Sequence, residues 1–427
     1  MELAVFLICL FGFMLLGIPI AIVLVICAFA LMFVTGGSNF LSIAQAIVAG
    51  INSFPLMAIP FFMLAGEIMS QGGLSARIVK FANLVVGRVR GGLGYAAILA
   101  SIIFAGLSGS AVADAAALGS VLIPLMRDNG YKIDTATAFI CAGAIIAPII
   151  PPSIPMIVMG TATSLSVTRL FMSGIVPGLI LGLFLMIIWY FIVRKHGYED
   201  RVIYSKDEAI AILKESLPAI VLPIIIVGGI RLGIVTPTEA GALAVVYALI
   251  VCKFVYKELD LSKFGDIFAA AAKSTSTVML IVGAANAVGF YITSAQIPAK
   301  MASVLEPLID TPMLLLLMIN LLLFIMGMIM DLTPNILIFS PVLFPVIQKA
   351  GIDPYFFALI MCLNLCIGLI TPPVGTVLYV GCGVGKIDFV TLSRAIIPFI
   401  IVEVAVLLLC TFFPSIVMVP LNFIMGR

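Results

Sequence analysis

Four apolar blocks of the sequence are interrupted near their middle by hydroxyl, amide, carboxyl, glycine or proline residues. Backbone groups without a partner are costly in a hydrocarbon layer, so such breaks persist only where protein or a watery cavity covers them. The breaks are therefore candidate binding sites. They comprise Ser108-Gly109-Ser110 in block 94–126, Pro151-Pro152-Ser153 in 136–167, Asp331-Leu332-Thr333-Pro334-Asn335 in 313–347, and Thr371-Pro372-Pro373 in 356–384.

The residue types at these breaks suit a hard monovalent cation, which needs several oxygen ligands. Hydroxyls and freed backbone carbonyls supply oxygens without burying many charges. We predict one sodium site from Ser108, Gly109, Ser110, Pro151, Pro152 and Ser153, and a second from Gly327, Thr333, Pro334, Asn335, Thr371, Pro372, Pro373, Gly375 and Thr376. The alternative for the first set is a tight turn that only closes a hairpin.

Asp331 is the strongest single candidate for a binding residue, because an ionisable residue inside a membrane block is a functional hypothesis by default. We predict that it contacts substrate, together with Ser110 and Ser153. An aspartate that caps the following helix is the alternative. Asp114 and Glu239 are interpreted as structural first-turn acids of helices.

The elements that carry these breaks must lie in a membrane. Of 427 residues, 63% are hydrophobic and 10% charged, and the mean hydropathy is +1.31. Soluble domains carry about 25% charged residues. Apolar runs long enough for a bilayer, about 20 residues each, recur along the chain. The composition predicts an all-α polytopic membrane protein, and the net charge of +2 gives no reason to expect a nucleic-acid partner.

Unbroken spans are predicted between the interrupted blocks. The N-terminal stretch lacks a basic region and a cleavage site, so we interpret 3–34 as one retained span rather than a signal peptide. Pro19 lies inside this stretch, so a division into two helices is the alternative. The predicted spans are 3–34, 54–70, 170–193, 217–235, 239–256, 267–292 and 395–413.

Glycines and prolines recur at one constant offset, which indicates an internal repeat. Gly106 and Gly327 are separated by 221 residues (327 − 106), and the same offset relates six further pairs. These pairs are Pro124 with Pro345, Gly130 with Gly351, Pro151 with Pro372, Pro152 with Pro373, Gly160 with Gly381 and Pro177 with Pro398. Because these residues fix backbone geometry, the two halves should share a fold.

The two halves are predicted to be inverted. If the blocks broken at Ser108–Ser110 and at Asp331–Asn335 are re-entrant hairpins, an odd number of crossings separates them, so they enter from opposite faces. Most basic residues fall on the face of the first hairpin's ends, which is cytoplasmic by the positive-inside rule. Only Arg169, Arg231, Lys300, Lys349 and Arg427 fall on the other, with Lys273 inside a span.

Inverted repeats with broken helices near the midplane are typical of secondary transporters, in which half-helix N-termini face an anionic substrate. The sequence contains no GxxxxGK[ST] phosphate loop, which argues against ATP as the driver. A membrane-embedded enzyme would need a catalytic pair, and the sequence offers no obvious one. We therefore predict a transporter, not an enzyme, with no organic cofactor and with sodium as its coupling ion.

The motifs resemble those of the large membrane subunit of tripartite ATP-independent periplasmic (TRAP) transporters, the DctM family. The likeness covers nearly the whole chain. It rests on the stretches 60–66 (PFFMLAG), 72–74 (GGL), 108–110 (SGS), 113–119 (ADAAALG), 150–154 (IPPSI), 177–178 (PG), 228–230 (GGI), 236–240 (TPTEA) and 368–375 (GLITPPVG). The residues 111–114 (AVAD) resemble members that handle sialic acid or sugar acids more than dicarboxylate members.

The resemblance implies sodium-coupled uptake of a small organic anion across the bacterial inner membrane. The implied partners are a small four-helix membrane subunit, a periplasmic substrate-binding protein and membrane lipid. It also implies an elevator, with scaffold helices and arm in 1–90, a transport repeat in 91–169, scaffold in 170–310, a second transport repeat in 311–392 and a C-terminal scaffold helix in 393–427. No arginine lies at a break, so hydroxyls, amides, helix N-termini and sodium must meet the substrate carboxylate.

One alternative shares this architecture. A stand-alone sodium/anion carrier would have the same inverted hairpins but would need no binding protein.

Overall fold

The computed structural model describes residues 2–37, 39–198, 201–297 and 308–426, and every regular element in these ranges is a helix. The first part comprises α1 (Glu2–Leu15), α2 (Ile20–Val34), α3 (Phe40–Ile51), α4 (Ala58–Gln71), α5 (Leu74–Val86), α6 (Gly92–Ser108), α7 (Ala111–Asp128), α8 (Ile133–Ala144), α9 (Ile154–Thr163) and α10 (Val167–His196). The second part comprises α11 (Lys206–Arg231), α12 (Pro237–Ile250), α13 (Phe264–Ser294), α14 (Pro312–Ile329), α15 (Leu332–Lys349), α16 (Pro354–Gly368), α17 (Thr376–Gly385), α18 (Phe389–Ala395), α19 (Ile397–Phe412) and α20 (Ser415–Ile424).

Length and apolar composition let seven of the described helices cross a bilayer, or up to nine if each sharply bent pair is one span. The bent pairs are α17 with α18, at 111°, and α19 with α20, at 72°. The chain is therefore a multi-pass membrane protein, as its composition predicts. Lys300 and Arg427, used for the charge bias, lie outside the described residues.

Helix boundaries repeat at the offset seen in the sequence. Adding 221 to the bounds of α7, 111 and 128, gives 332 and 349, the bounds of α15. The helices α6, α8 and α9 correspond in the same way to α14, α16 and α17, within three residues at each end. All four predicted breaks are confirmed as interruptions between helices, which is what the prolines and glycines at these positions dictate.

The two repeats interlock rather than pack side by side. In the first repeat, α9 contacts α15 of the second, and in the second, α17 contacts α7 and α8 of the first. Each helix that follows a break therefore packs on the opposite repeat. This exchange brings the breaks of both repeats together in the middle of the molecule.

Two groups of long helices flank the interlocked repeats. The helices α12 and α13 contact α4, and α13 also contacts α2, α3 and α15. The helices α10 and α19 contact each other and pack on repeat helices, α10 on α6, α9 and α16, and α19 on α8 and α16.

The helix α5 and the turn before it, which lie in the part of the chain predicted to contain an arm, are tied to their neighbours by Arg77. Its guanidinium donates to Glu258 Oε1 at 2.7 Å and lies 3.8 Å above the centre of the Tyr256 ring. The hydrogen bond from Arg77 holds the pKa of the Glu258 carboxyl below its usual value. This ion pair joins α5 to the segment after α12.

The prediction of a single span over 3–34 is wrong. Gly17 has a positive φ of 76° and Pro19 stands at the N-cap of α2, so the stretch forms α1 and α2, which contact each other. The helix α3 was not predicted. Glu239, in contrast, is confirmed as structural, because it forms a capping box with Thr236 at the start of α12.

Candidate functional site

The first repeat brings its two breaks into direct contact. Gly109 has a left-handed φ of 62°, and a Cβ atom at this position would lie 2.4 Å from the carbonyl oxygen of Pro152. Only glycine fits such a close approach. The predicted set Ser108, Gly109, Ser110, Pro151, Pro152 and Ser153 is therefore assembled at one place.

Asp114 also belongs to this first break, although the sequence did not lead us to predict its participation. Its side chain is fully buried, its Oδ1 accepts a hydrogen bond from the hydroxyl of Ser108, and its Oδ2 has no partner among the described residues. A lone acid in an alanine-rich first turn gave no signal of this. The signal that could have found it is the repeat, because Asp114 corresponds to Asn335 at the offset of 221 (335 − 114).

The two serines that follow the glycine and proline turns begin helices. Ser110 Oγ accepts from the backbone N–H of Ala113 at 3.4 Å, and Ser153 Oγ accepts from that of Met156 at 3.2 Å. Ser153 also donates to the carbonyl of Pro148 and is fully buried. Its hydroxyl is thus engaged on both sides, whereas Ser110 is only partly buried.

The second repeat joins its breaks through backbone contacts. A Cβ atom on Gly368 would lie 2.5 Å from the backbone of Gly327, and the N–H of Val374 donates to the carbonyl of Met328 at 3.3 Å. Thr371 donates to the carbonyl of Ile367 at 2.7 Å. The bonds Pro151–Pro152 and Pro372–Pro373 are both cis.

Asn335 braces the end of α14 from the first turn of α15. Its amide nitrogen lies 3.3 Å from the carbonyl oxygen of Met326, 3.0 Å from that of Met330 and 3.0 Å from that of Asp331. The side chain is fully buried, and its Oδ1 has no partner among the described residues. Asp114 and Asn335 therefore place, at equivalent positions of the two repeats, a buried side-chain oxygen that has no partner among the described residues.

Asp331 stands at the N-cap of α15, but its carboxylate makes no capping hydrogen bond. Its Oδ1 instead accepts from the hydroxyl of Thr376 at 3.5 Å, the long limit of a hydrogen bond. Gly375, with a φ of 56°, is the N-cap of α17. Asp331 thus connects the starts of two helices and is itself exposed.

A small cavity of about 110 Å³ lies where the breaks of both repeats converge. The starts of α7, α9 and α15 face it, through Ser110, Ile154 and Thr333 respectively, and Asp331 also lines it. Met63 and Val278 close it from the side of α4 and α13. Of the predicted residues, Gly109, Ser110, Asp331 and Thr333 line this cavity, whereas Ser153, Asn335 and Thr371 lie behind its wall.

Two larger cavities flank this one. A cavity of about 330 Å³ between α4 and α7 shares Met63, Ser110 and Ile154 with it and contains the carboxylate of Glu67. The other, of about 570 Å³, is lined by α3, α9, α13 and α15. Hydroxyl side chains line both.

Comparison with known proteins places this arrangement in a family. Residues 7–416 match the model of the tripartite ATP-independent periplasmic transporter, DctM component. The chain is 44% identical over 424 residues to the 2,3-diketo-L-gulonate TRAP transporter large permease protein YiaN of Escherichia coli, covering 99% of this chain and 100% of that one. It is 39% identical to the sialic acid TRAP transporter large permease protein SiaM of Vibrio cholerae, with 95% of each chain covered.

A solved structure supports the fold. The YdaH transporter of Alcanivorax borkumensis superimposes with a TM-score of 0.63 at 16% identity, covering 88% of each chain. At that identity the likeness concerns the fold alone. The family match over nearly the whole chain carries the assignment: the chain belongs to the DctM family, the large permease of TRAP transporters, and is a membrane transport protein rather than an enzyme.

Proposed function

We propose that this protein carries a small organic anion into the cell together with sodium, binding the anion at the cavity where α7, α9 and α15 begin. The convergence of these three helix starts is the observation that carries the proposal. Helix N-termini hold a partial positive charge and free N–H groups, which favour a carboxylate or sulfonate. No lysine or arginine lines this cavity in the described part of the chain, so these dipoles and the coupling ions must supply the attraction.

We propose that sodium binds at the two pairs of breaks. Asp114 Oδ2 and Asn335 Oδ1 support this, because each is a buried oxygen without a partner in the described residues and each stands behind a break rich in carbonyls. A buried acceptor left unpaired is destabilising, and a hard cation would satisfy it. The residues predicted from the sequence remain the ligands of this proposal, with Asp114 added to the first set. Sodium would neutralise charge beside the substrate anion.

We propose an elevator-type movement, supported by the interlocking of the two repeats. Because α9 packs on α15 and α17 on α7 and α8, the repeats should move as one body. The predicted division put 170–310 and 393–427 in the scaffold. Because α10 and α19 each pack on helices of both repeats, we place these two with the moving body instead. The helix α13 also contacts α15, but it packs mainly on α2, α3 and α4, so α1–α4, α12 and α13 are placed with the scaffold. The cavities on either side of the central one are the candidate routes to the two membrane faces.

The substrate we propose is a small carboxylate or related acid, such as a sugar acid, sialic acid or a dicarboxylate. The named relatives support this range: one is a permease for 2,3-diketo-L-gulonate, one for sialic acid, and one, of Oleidesulfovibrio alaskensis and 40% identical over 95% of this chain, for isethionate. All are small organic acids. Two of them are carboxylates and isethionate is a sulfonate, a range that suits a site built from helix dipoles rather than a fixed arginine clamp.

The partners we propose are a small four-helix membrane subunit and a periplasmic binding protein, in a bacterial inner membrane. Membership of the tripartite family supports both. The alternative is a carrier that works without a binding protein.

Uptake into proteoliposomes separates these two possibilities. The permease is reconstituted with a small TRAP membrane subunit from the same organism, and uptake of labelled acid is measured with and without a TRAP binding protein from that organism. The proposal expects uptake only with the binding protein. Saturable, sodium-driven uptake without it would establish the stand-alone carrier.

A further inference from the structure

A second kind of site lies at the cytoplasmic end of the predicted topology, away from the transport cavities. A groove of about 630 Å³ runs between the end of α5, the start of α6 and the end of α10. Its walls are apolar or aromatic, with Val85, Val89 and Tyr190 about half exposed. Arg90 and Arg194 stand in the same groove.

The frame of the groove is held in place by specific contacts. Trp189 Nε1 donates to the carbonyl of Gly91 at 3.0 Å, which fixes the start of α6 on α10. A Cβ atom on Gly94 would lie 2.0 Å from the Trp189 ring, so this ring packs directly on the backbone of α6. The N–H of Val202 donates to the carbonyl of Gly87 at 2.9 Å. The groove is therefore a built feature and not a gap between loose loops.

The two arginines have no acidic partner within the described residues. Two other described arginines on this face do have acidic partners, Arg77 with Glu258 and Arg127 with Asp128, whereas Arg88, Arg201 and Arg394 have none in the described part of the chain and lie outside the groove. Glu199 and Asp200 follow in the sequence and lie outside the described ranges. Two guanidinium groups beside apolar walls match a ligand with a phosphate at one end and a hydrocarbon chain at the other.

We propose that this groove binds an anionic phospholipid, with its phosphate on Arg90 and Arg194 and an acyl chain along Val85, Val89 and Tyr190. Basic pockets between helices on the cytoplasmic side are suited to such headgroups. A free phosphate ion would leave the valines and the tyrosine uncovered, so a lipid fits the lining better. A zwitterionic lipid offers the same chain, but its amine offsets the phosphate charge.

Such a lipid would bridge α5 and the body of the repeats. The valines belong to the end of α5 and the turn after it, whereas Tyr190 and Arg194 belong to α10. An anionic lipid would therefore add a link between these two elements, which already meet through the start of α6 and through the hydrogen bond from Val202 to Gly87. This inference stands independently of the proposed substrate and coupling ion.

The chain carries its own reporter for this site. Trp189 is the only tryptophan in the sequence, and its ring stacks on that of Tyr198, which lines the groove, with 6.4 Å between ring centres. Bromine on a lipid chain quenches tryptophan fluorescence at short range. Quenching of Trp189 therefore measures which lipid occupies the groove.

The experiment places the full chain in nanodiscs that contain increasing fractions of brominated phosphatidylglycerol or brominated phosphatidylcholine. The wild type should be quenched at lower fractions of the anionic lipid. The preference is the ratio of the two lipid fractions that give half-maximal quenching. In R90Q/R194Q this ratio should fall by roughly five-fold for each arginine removed. The variant R90K/R194K, which keeps the charges, should retain most of it.

A matched control removes the same charge from the same face. Arg88 and Arg127 do not line the groove, so R88Q/R127Q should behave as the wild type. Equal quenching of the wild type by both lipids would overturn the proposal. An equal loss of preference in R88Q/R127Q and R90Q/R194Q would also overturn it, because the effect would then come from overall charge.

Discussion

At the scale of single residues, the position of Asp331 fits a binding residue better than a helix cap. It occupies the N-cap position of α15 without making the capping hydrogen bond, and it faces the central cavity. Asp353, at the start of α16, is the opposite case, since its Oδ1 accepts from the backbone N–H groups of Tyr355 at 2.8 Å and Phe356 at 3.1 Å. The chain thus contains both kinds of aspartate.

We expect Asp331→Ala and Asp331→Asn each to reduce uptake at least about ten-fold, because both remove the charge that faces the cavity, worth about 1.4 kcal/mol at that factor. Asp353→Asn should transport almost normally, since asparagine caps a helix about as well as aspartate. Uptake rates at matched amounts of purified, folded protein test this. Normal uptake by Asp331→Asn would mean that Asp331 acts only as a helix cap.

A different prediction concerns the sodium dependence of uptake and Asp114, which is buried behind the first break. Asp114→Asn keeps the size of the side chain and its bond to Ser108, but removes the charge. If Asp114 Oδ2 helps to bind sodium, the sodium concentration for half-maximal uptake should rise by roughly ten-fold or more, as expected when a buried charged partner is lost. Asp128→Asn, an exposed acid at the end of α7, is the control. An unchanged sodium dependence in Asp114→Asn would remove this residue from the site.

The sequence predicted the residues of the breaks but not the direction of every side chain. Ser108 and Ser110 could be found because hydroxyls beside a glycine interrupt an apolar block. Whether a serine faces a cavity or is engaged behind its wall, as Ser153 is with Pro148, depends on packing between helices that are distant in the sequence. The same holds for Asp114, whose partner Ser108 lies across the turn.

At the scale of elements, Gly109 shows why the turn between α6 and α7 needs glycine. Its φ of 62° is left-handed, as is the φ of 82° at Gly130 after α7. A Cβ atom at Gly109 would meet the Pro152 carbonyl at 2.4 Å, whereas at Gly130 it would meet nothing within 4 Å. An alanine would pay the cost of a left-handed backbone at both positions. Only at Gly109 would its Cβ atom also clash with a neighbour.

We expect Gly109→Ala to abolish uptake. It should also lower the free energy of unfolding by more than about 1 kcal/mol, the cost of a left-handed backbone at a residue with a Cβ atom. Gly130→Ala should incur only that cost and transport close to normally. Thermal unfolding and uptake of both variants test this. Equal behaviour of the two would mean that the contact between the first two breaks is not required.

Helix boundaries in the repeats could be predicted well, because proline and glycine mark them at a fixed offset. The N-terminal region could not, since α1 and α2 are almost entirely apolar and only Gly17 and Pro19 separate them, and α3, with 12 residues that include Ser42 and Gln45, is shorter than a membrane span. The bend of 111° between α17 and α18 was also not predicted, because Lys386 and Asp388 suggest a loop but not its angle.

At the scale of the whole molecule, composition alone predicts the class of fold. The division into bodies depends on which long helices pack on the repeats, and the sequence does not contain that information for α10 and α19. Both are long apolar helices like α12 and α13, and only their contacts differ.

Cross-linking tests the proposed movement in a background without the native cysteines. Val282 in α13 and Leu337 in α15 both line one cavity and belong to the two proposed bodies, so cysteines there, joined by a bifunctional thiol reagent, should abolish uptake. Met159 and Ser340 are 3.4 Å apart between Sδ and Oγ and both belong to the proposed moving body. A cross-link between cysteines at these two positions should leave uptake intact. Full uptake after complete cross-linking of the first pair would refute movement of one body against the other.

The central claim is that sodium binding at the breaks drives uptake of the anion through this site. The most direct measurement is the initial rate of uptake into proteoliposomes that contain both membrane subunits and binding protein, with external sodium replaced stepwise by potassium. The account predicts that uptake falls to the background level without sodium and needs no ATP. Uptake that continues at the same rate in potassium would contradict it.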